Sequence, residues 1–73
     1  MDDQDLLNLT GKIRSELDEL PRDVYERSPS LFDTALDKTT AIERRVLAGN
    51  PVTQKMGIAV ETIAVNVARW RNA

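Results

Sequence analysis

The sequence contains no cysteine and no histidine, and it has only one residue each of tryptophan, tyrosine and phenylalanine. Without cysteine there is no disulfide and no thiolate metal ligand. Without histidine the commonest general base and metal ligand of proteins is missing. The three glycines stand singly at positions 11, 49 and 57, so no glycine-rich phosphate loop is present. We therefore expect no catalytic residue, no metal and no cofactor, and we predict that the protein is not an enzyme.

Long apolar runs are also missing. No stretch approaches the roughly 20 residues that span a bilayer, and the acidic start Met1-Asp2-Asp3 is unlike a signal peptide. We expect a cytoplasmic protein that is not bound to a membrane. The 73 residues make a single domain, and domains of roughly 60 to 80 residues often need disulfides, a metal or a second subunit. Because the first two are excluded, the sequence predicts association, most simply as a homodimer.

The charge is distributed unevenly along the chain. Residues 1–42 carry 5 basic and 10 acidic side chains, a net charge of −5, whereas residues 43–73 carry 5 basic and 2 acidic ones, a net charge of +3. Such a split favours head-to-tail alignment of subunits or attraction of a charged partner. A solvated surface of uneven charge explains it equally well.

Apolar residues in the first third recur with the period of one helix face. They are Leu6, Leu9, Ile13, Leu17 and Leu20. The pattern predicts a helix over residues 3–20, after which Pro21 ends the helix or opens a short turn that runs to Arg27. Ser28-Pro29-Ser30 is a clear break, and Ser30 with Asp33 resembles a capping box.

A second long helix is predicted over residues 31–48. Its expected inner face is Leu31 or Phe32, Ala35, Leu36, Thr39, Ile42 and Val46, with Leu47 as a further candidate. The link Gly49-Asn50-Pro51 then supplies a left-handed glycine, a helix cap and a first-turn proline. Short links of this kind join antiparallel helices. The predicted fold is therefore a small all-α, three-helix domain with an αα-hairpin at its C-terminal end.

The third predicted helix, over residues 51–71, is apolar on two faces. Its main stripe has a mean spacing of 3.6 residues and consists of Val52, Met56, Ala59, Ile63, Val67 and Trp70. Ile58 and Val65 lie roughly 200° to 220° away from Ile63 around the helix. A helix with two apolar faces needs two neighbours, so this segment predicts a surface that binds another protein.

An alternative function follows from Met56-Gly57-Ile58 and Thr62-Ile63. This run resembles the core of many helix-turn-helix motifs, including those of LuxR-type regulators. The resemblance implies a turn at Gly57-Ile58 and a recognition helix from Ala59 to Arg71. The phosphate contacts would then come from Arg44, Arg45, Lys55, Arg69 and Arg71. Against this reading, the residues facing the groove would be mainly Ala, Val and Glu61, which offer few groups to base edges, and a continuous helix explains the same residues.

The main prediction is a small, non-enzymatic regulatory protein that binds and modulates a host or cognate protein. Inhibitors, anti-activators and adaptors encoded by phages and other mobile elements have this size and class. Ile58, Val65, Arg69 and Trp70 are the candidate protein-binding residues, since tryptophan and arginine are enriched at binding hot spots. For Trp70 the sequence leaves two interpretations, packing in the core or exposure at a protein interface.

Overall fold

The computed structural model describes residues 2–72, and in this range the chain forms four α-helices and no strand. They are α1 (Asp3–Asp18), α2 (Arg22–Arg27), α3 (Pro29–Leu47) and α4 (Gln54–Arg71). The predicted all-helical class is confirmed. Between the first two long helices the sequence predicted a turn, but the chain forms the short helix α2 there, so the described part has four helices instead of three.

The first turn of α3 begins earlier than predicted. Pro29 occupies the start of the helix, where its missing N–H costs no hydrogen bond, and Ser28 precedes it at the cap position. Ser30 therefore lies inside the first turn, and the predicted capping box of Ser30 and Asp33 is wrong. The N-terminus of α1 has a side-chain cap, in which Asp2 accepts a hydrogen bond from the Asp5 amide at 2.8 Å.

The end of α3 is closed by a left-handed glycine, as the sequence predicted. Gly49 has a φ of +91°, and its amide donates to the Val46 carbonyl at 3.0 Å. The Asn50 amide donates to the Arg45 carbonyl at 3.1 Å, which completes a Schellman motif. The helix thus ends with its last carbonyls satisfied.

The start of α4 lies three residues later than predicted. Thr53 caps it, because its Oγ1 accepts a hydrogen bond from the Met56 amide at 3.2 Å. The prediction that Asn50 caps this helix and that Pro51 lies in its first turn is wrong. The Asn50 side chain instead donates to the Arg45 carbonyl at 3.1 Å and so belongs to the end of α3.

The long helices pack side by side, with α1 in the middle. α3 runs back along α1, as shown by Thr10 beside Glu43 and by Arg14 beside Thr40. α4 runs parallel to α1, and their C-terminal ends are joined by Arg71 and Glu16. α3 and α4 each touch α1 over most of their length and touch each other much less. The molecule measures 37 × 18 × 17 Å.

The core is a seam between α1 and α4 that α3 covers. The buried residues of the seam come in pairs 50 positions apart, namely Leu6 and Met56, Thr10 and Val60, Ile13 and Ile63, and Leu17 and Val67. α3 contributes Ala35, Thr39 and Val46. Val60 and Thr10 lie outside the apolar stripes predicted from the sequence, although both are fully buried. Phe32, not Leu31, packs on this core, and Leu47 points to solvent.

The polar groups within this core have partners. Thr39 donates from its hydroxyl to the Ala35 carbonyl at 2.7 Å, and Thr10 donates to the Leu7 carbonyl at 2.9 Å. Thr10 also lies 3.3 Å from the Glu43 carboxylate, whose other oxygen is 2.8 Å from the Arg14 guanidinium. This group of three side chains joins α1 to α3.

Candidate protein-binding surfaces

The face of α4 that points away from the core carries two large apolar side chains. Ile58 is 55% exposed and Val65 is 53% exposed. They are seven residues apart, so they lie on one row of the helix, about 10 Å from each other. Glu61 and Arg69, both exposed, lie on either side of Val65, one turn before it and one turn after it. We call Ile58, Glu61, Val65 and Arg69 the outer stripe.

Trp70 does not belong to the outer stripe. It lies about 140° from Val65 around the helix, and it is half-buried against the core. Its ring lines two separate depressions, one between α3 and α4 and the other at the end of the bundle. Of the four candidate protein-binding residues, the structure therefore brings together Ile58, Val65 and Arg69 and places Trp70 elsewhere.

A groove runs between α3 and α4 on the side away from α1. Its volume is about 240 Å³. We call it the α3–α4 groove; α3 lines it with Leu31, Thr34, Ala35 and Lys38, and α4 lines it with Ala59, Thr62, Ile63, Asn66 and Trp70. Leu31 is 55% exposed at its rim. The groove exists because α3 and α4 pack on α1 more closely than on each other.

The second depression lies at the end of the bundle, where α2 crosses between α1 and α3. It has a volume of about 180 Å³ and is lined mainly by Leu20, Val24, Tyr25, Phe32 and Trp70. The rings of Tyr25 and Phe32 meet edge to face, with centroids 4.8 Å apart. This pocket depends on the helical form of α2, which the sequence did not predict. In the sequence, the apolar residues Val24 and Tyr25 were the only indication of this helix and its pocket.

The basic residues of the DNA-binding alternative do not form one patch. Arg44 and Arg45 end α3 and Lys55 begins α4, so these three lie at the same end of the molecule. Arg69 is about 21 Å further along α4 than Lys55. Arg71 is turned toward α1, where its guanidinium lies 3.7 Å from the Glu16 carboxylate.

The turn that a helix-turn-helix motif requires is not formed at Gly57-Ile58. α4 continues through both residues, and the Gly57 amide donates to the Thr53 carbonyl at 3.2 Å. Within the described residues no neighbouring helix approaches Gly57 closely, because a Cβ added there would meet nothing within 4 Å. The interpretation of residues 54–71 as one continuous helix is confirmed.

Between positions 2 and 72, no three acidic side chains converge as a metal ligand set would. In that same range, no helix has the length and apolar character that crossing a bilayer requires. What the surface does offer is apolar area beside charge, which suits recognition of a protein.

No protein-family model, curated protein or solved structure matches this chain. The sequence predicted Ile58, Val65 and Arg69 as protein-binding residues. It gave Leu31 only as a candidate for the inner face of its helix and assigned no role to Lys38, although both line the groove. Their signal was a spacing of seven residues on α3, which places both on one row of that helix.

Proposed function

We propose that this chain is a small, non-enzymatic regulatory protein that binds and modulates another protein as an inhibitor, anti-activator or adaptor, and that it acts as a homodimer. In this proposal, the outer stripe of α4 joins the two copies, which leaves the α3–α4 groove of each copy open. Binding then modulates a host or cognate protein by covering one of its functional surfaces with a helix face.

The observation that supports the dimer best is the exposure of Ile58 and Val65. A single exposed apolar side chain is ordinary, but Ile58 and Val65 are both exposed and lie on one row of α4, with Ala68 close to Val65. Packing this side of α4 against a second copy removes apolar surface from water.

The charges on the outer stripe favour an antiparallel pair of α4 helices. Glu61 lies four residues before Val65 and Arg69 lies four residues after it. If two copies meet around a two-fold axis at Val65, Glu61 of each copy faces Arg69 of the other. The contact then has Val65 against Val65 at its centre and an ion pair on each side, and Ile58 of each copy lies opposite Asn72 at the end of the other α4. A parallel pair would instead place like charges together.

This proposal is tested by the oligomeric state of charge-bearing variants. Only one helix per copy forms the interface, so we expect a dimer that dissociates at micromolar concentrations. Val65→Glu should raise the dimer dissociation constant about tenfold or more, because it buries a carboxylate at the centre of the contact. Ala41→Glu introduces the same charge at an exposed position of α3 and should leave it unchanged. Sedimentation equilibrium measures both.

A charge exchange tests the antiparallel geometry separately. Glu61→Arg alone and Arg69→Glu alone each place like charges opposite each other and should weaken the dimer. The double variant restores both ion pairs with their signs reversed, so it should return toward the parent dissociation constant. A parent protein that is monomeric at every accessible concentration would contradict the dimer, and a double variant no better than the singles would contradict the antiparallel pairing.

A further inference from the structure

The rims of the α3–α4 groove are two rows of residues spaced by sevens. On α3 the row is Leu31, Lys38 and Arg45, and on α4 it is Lys55, Thr62 and Arg69. Residues seven positions apart in a helix share a side. Leu31, Lys38 and Thr62 line the groove. Helix periodicity places Arg45 on the same side of α3, and Lys55 and Arg69 on the same side of α4, beyond the residues that line it.

These rims carry positive charge that the rest of the described chain does not neutralise. None of the ion pairs found between residues 2 and 72 involves Lys38, Arg45, Lys55 or Arg69. The acidic residues of the two helices do not line the groove. Glu43 is paired with Arg14 of α1, Asp33 lies on the side of α3 away from Leu31, and Asp37 and Glu61 fall on neighbouring rows. The groove thus contains Lys38, with three more cations on the same sides of its two helices.

The floor of the groove is apolar and narrow. Ala35 and Ile63 are buried at its base, and Leu31 and Trp70 stand at one end of it. Ala59, with Thr34 and Thr62, keeps the walls short, and small side chains at a contact allow another helix to come close. The row from Leu31 to Arg45 covers about 21 Å, which is the length of about 14 helical residues.

We propose that the α3–α4 groove binds one acidic, amphipathic α-helix of the regulated protein, which completes a four-helix bundle with α1, α3 and α4. The apolar face of the bound helix lies on Ala35, Ile63 and Trp70, and its carboxylates meet Lys38 and Arg45 on one rim and Lys55 and Arg69 on the other. This inference deepens the proposed function by stating the chemistry of the partner. It rests on the groove side of α4, which shares only Arg69 with the outer stripe, so the two contacts can be tested separately.

An acidic helix suits this groove better than a nucleic acid does. Phosphates would meet the same four cations, but a duplex would leave the apolar floor between them uncovered. Its bases would also meet few side chains that can read them. The combination of an apolar floor with basic rims is the form of a helix-binding groove.

Trp70 makes the proposal measurable, because it is the only tryptophan of the chain. The probe is a synthetic, stapled helical peptide of about 14 residues, with leucines on one face and glutamates beside them. The matched probe has the same leucines with lysines in place of the glutamates. We expect the acidic peptide to bind, with a blue shift of Trp70 emission, and the basic peptide to bind about tenfold more weakly or worse.

Charge reversal on the protein assigns the binding to the groove. Lys38→Glu should weaken the acidic peptide about tenfold, whereas Lys12→Glu, the same change at an exposed position of α1, should not. Val65→Glu should bind the peptide like the parent, which separates this test from that of the dimer. Equal binding of both peptides, no effect of Lys38→Glu, or tighter binding of a labelled DNA duplex that Lys38→Glu abolishes would each overturn the proposal.

Discussion

At the scale of single residues, the contact between α1 and α3 depends on a polar cluster more than on apolar bulk. Thr10 is fully buried at a position where the seam otherwise holds leucine, isoleucine, methionine or valine. Its neighbour Glu43 is held on both sides, by the Thr10 hydroxyl and by the Arg14 guanidinium at 2.8 Å. Thr10 is satisfied within α1, because its hydroxyl donates to the Leu7 carbonyl. The part of the cluster that depends on the register of α3 is the ion pair of Glu43 with Arg14.

Removing the carboxylate of this cluster should destabilise the fold measurably. We expect Glu43→Ala to lower the free energy of unfolding by about 1–2 kcal/mol, because Thr10 and Arg14 both lose a partner at a partly covered site. Glu26→Ala, which removes an exposed partner of Arg22, should change it by about 0.5 kcal/mol or less. Urea denaturation followed by circular dichroism gives both values, and equal effects would contradict this role of Glu43.

Two buried residues, Val60 and Thr10, were missed by sequence reasoning, each for its own reason. A straight helix with 3.6 residues per turn assigned Ala59 to the inner stripe and left out Val60. The structure buries Met56, Val60, Ile63 and Val67, a 4-3-4 spacing that suits two long helices lying nearly parallel. Thr10 was missed because it is polar, and only its position between Leu6 and Ile13 could have indicated burial. Which face of α4 meets α1 is decided by packing, and this information is not local.

At the scale of elements, the three glycines have different roles although each stands alone in the sequence. Gly49 has a positive φ that only glycine adopts at low cost. Gly11 and Gly57 lie within α1 and α4, where an added Cβ would meet nothing within 4 Å. Glycine inside a helix costs about 1 kcal/mol relative to alanine, so α1 and α4 are both less stable than their length allows.

Substituting alanine for each of the three glycines should change the free energy of unfolding in different directions. Gly57→Ala and Gly11→Ala should each raise the free energy of unfolding by about 0.5–1 kcal/mol, since the helix gains propensity without a clash. Gly49→Ala should lower it by about 1 kcal/mol, because alanine is strained at this φ. Thermal and urea unfolding of the three single variants measures the signs. A destabilising Gly57→Ala would show that another molecule packs closely there.

The presence of the long helices was easier to predict from the sequence than the residues at which they begin and end. The long helices follow from their apolar periodicity, and the end of α3 follows from Gly49. The start of α4 depends on which of Asn50 and Thr53 provides the cap, and both are good capping residues. The Asn50 side chain donates to the Arg45 carbonyl and so belongs to the end of α3. Thr53 is therefore the residue that caps α4. α2 is short and has only Val24 and Tyr25 as apolar residues, so its helical form depends on Phe32 and on the end of the bundle.

At the scale of the whole molecule, the uneven charge of the sequence becomes a difference between surfaces. The acidic residues of the first half are spread over α1, α2 and the first half of α3, whereas Lys38 lines the groove and Arg45, Lys55 and Arg69 lie on the same sides of α3 and α4. The −5 and +3 halves were visible in the sequence. The position of these cations relative to the groove was not, because it requires the antiparallel arrangement of α3 and α4.

We predict no sequence-specific binding of duplex DNA at physiological salt. Lys55 and Arg69 are separated by about 21 Å, and α4 lacks the turn of a helix-turn-helix motif at Gly57. Fluorescence anisotropy with labelled duplexes from the DNA flanking the gene, at two salt concentrations, tests this. Any binding should be weak, independent of sequence and lost steeply as salt rises. Specific retention of one promoter fragment, abolished by Arg69→Ala, would instead support the alternative of a helix-turn-helix DNA-binding regulator.

The parallel directions of α1 and α4 determine where labels on this protein would sit. Asp2 lies at one end of the 37 Å axis and Asn72 lies at the other, so a donor and an acceptor dye on one copy stay far apart. In an antiparallel dimer through α4, Asn72 of one copy shares an end with Asp2 of the second copy. Mixing a copy labelled at Asp2 with a copy labelled at Asn72 would then give efficient energy transfer, while a parallel dimer would keep the dyes at opposite ends. Energy transfer between labels at these two positions therefore reports the direction in which two copies meet.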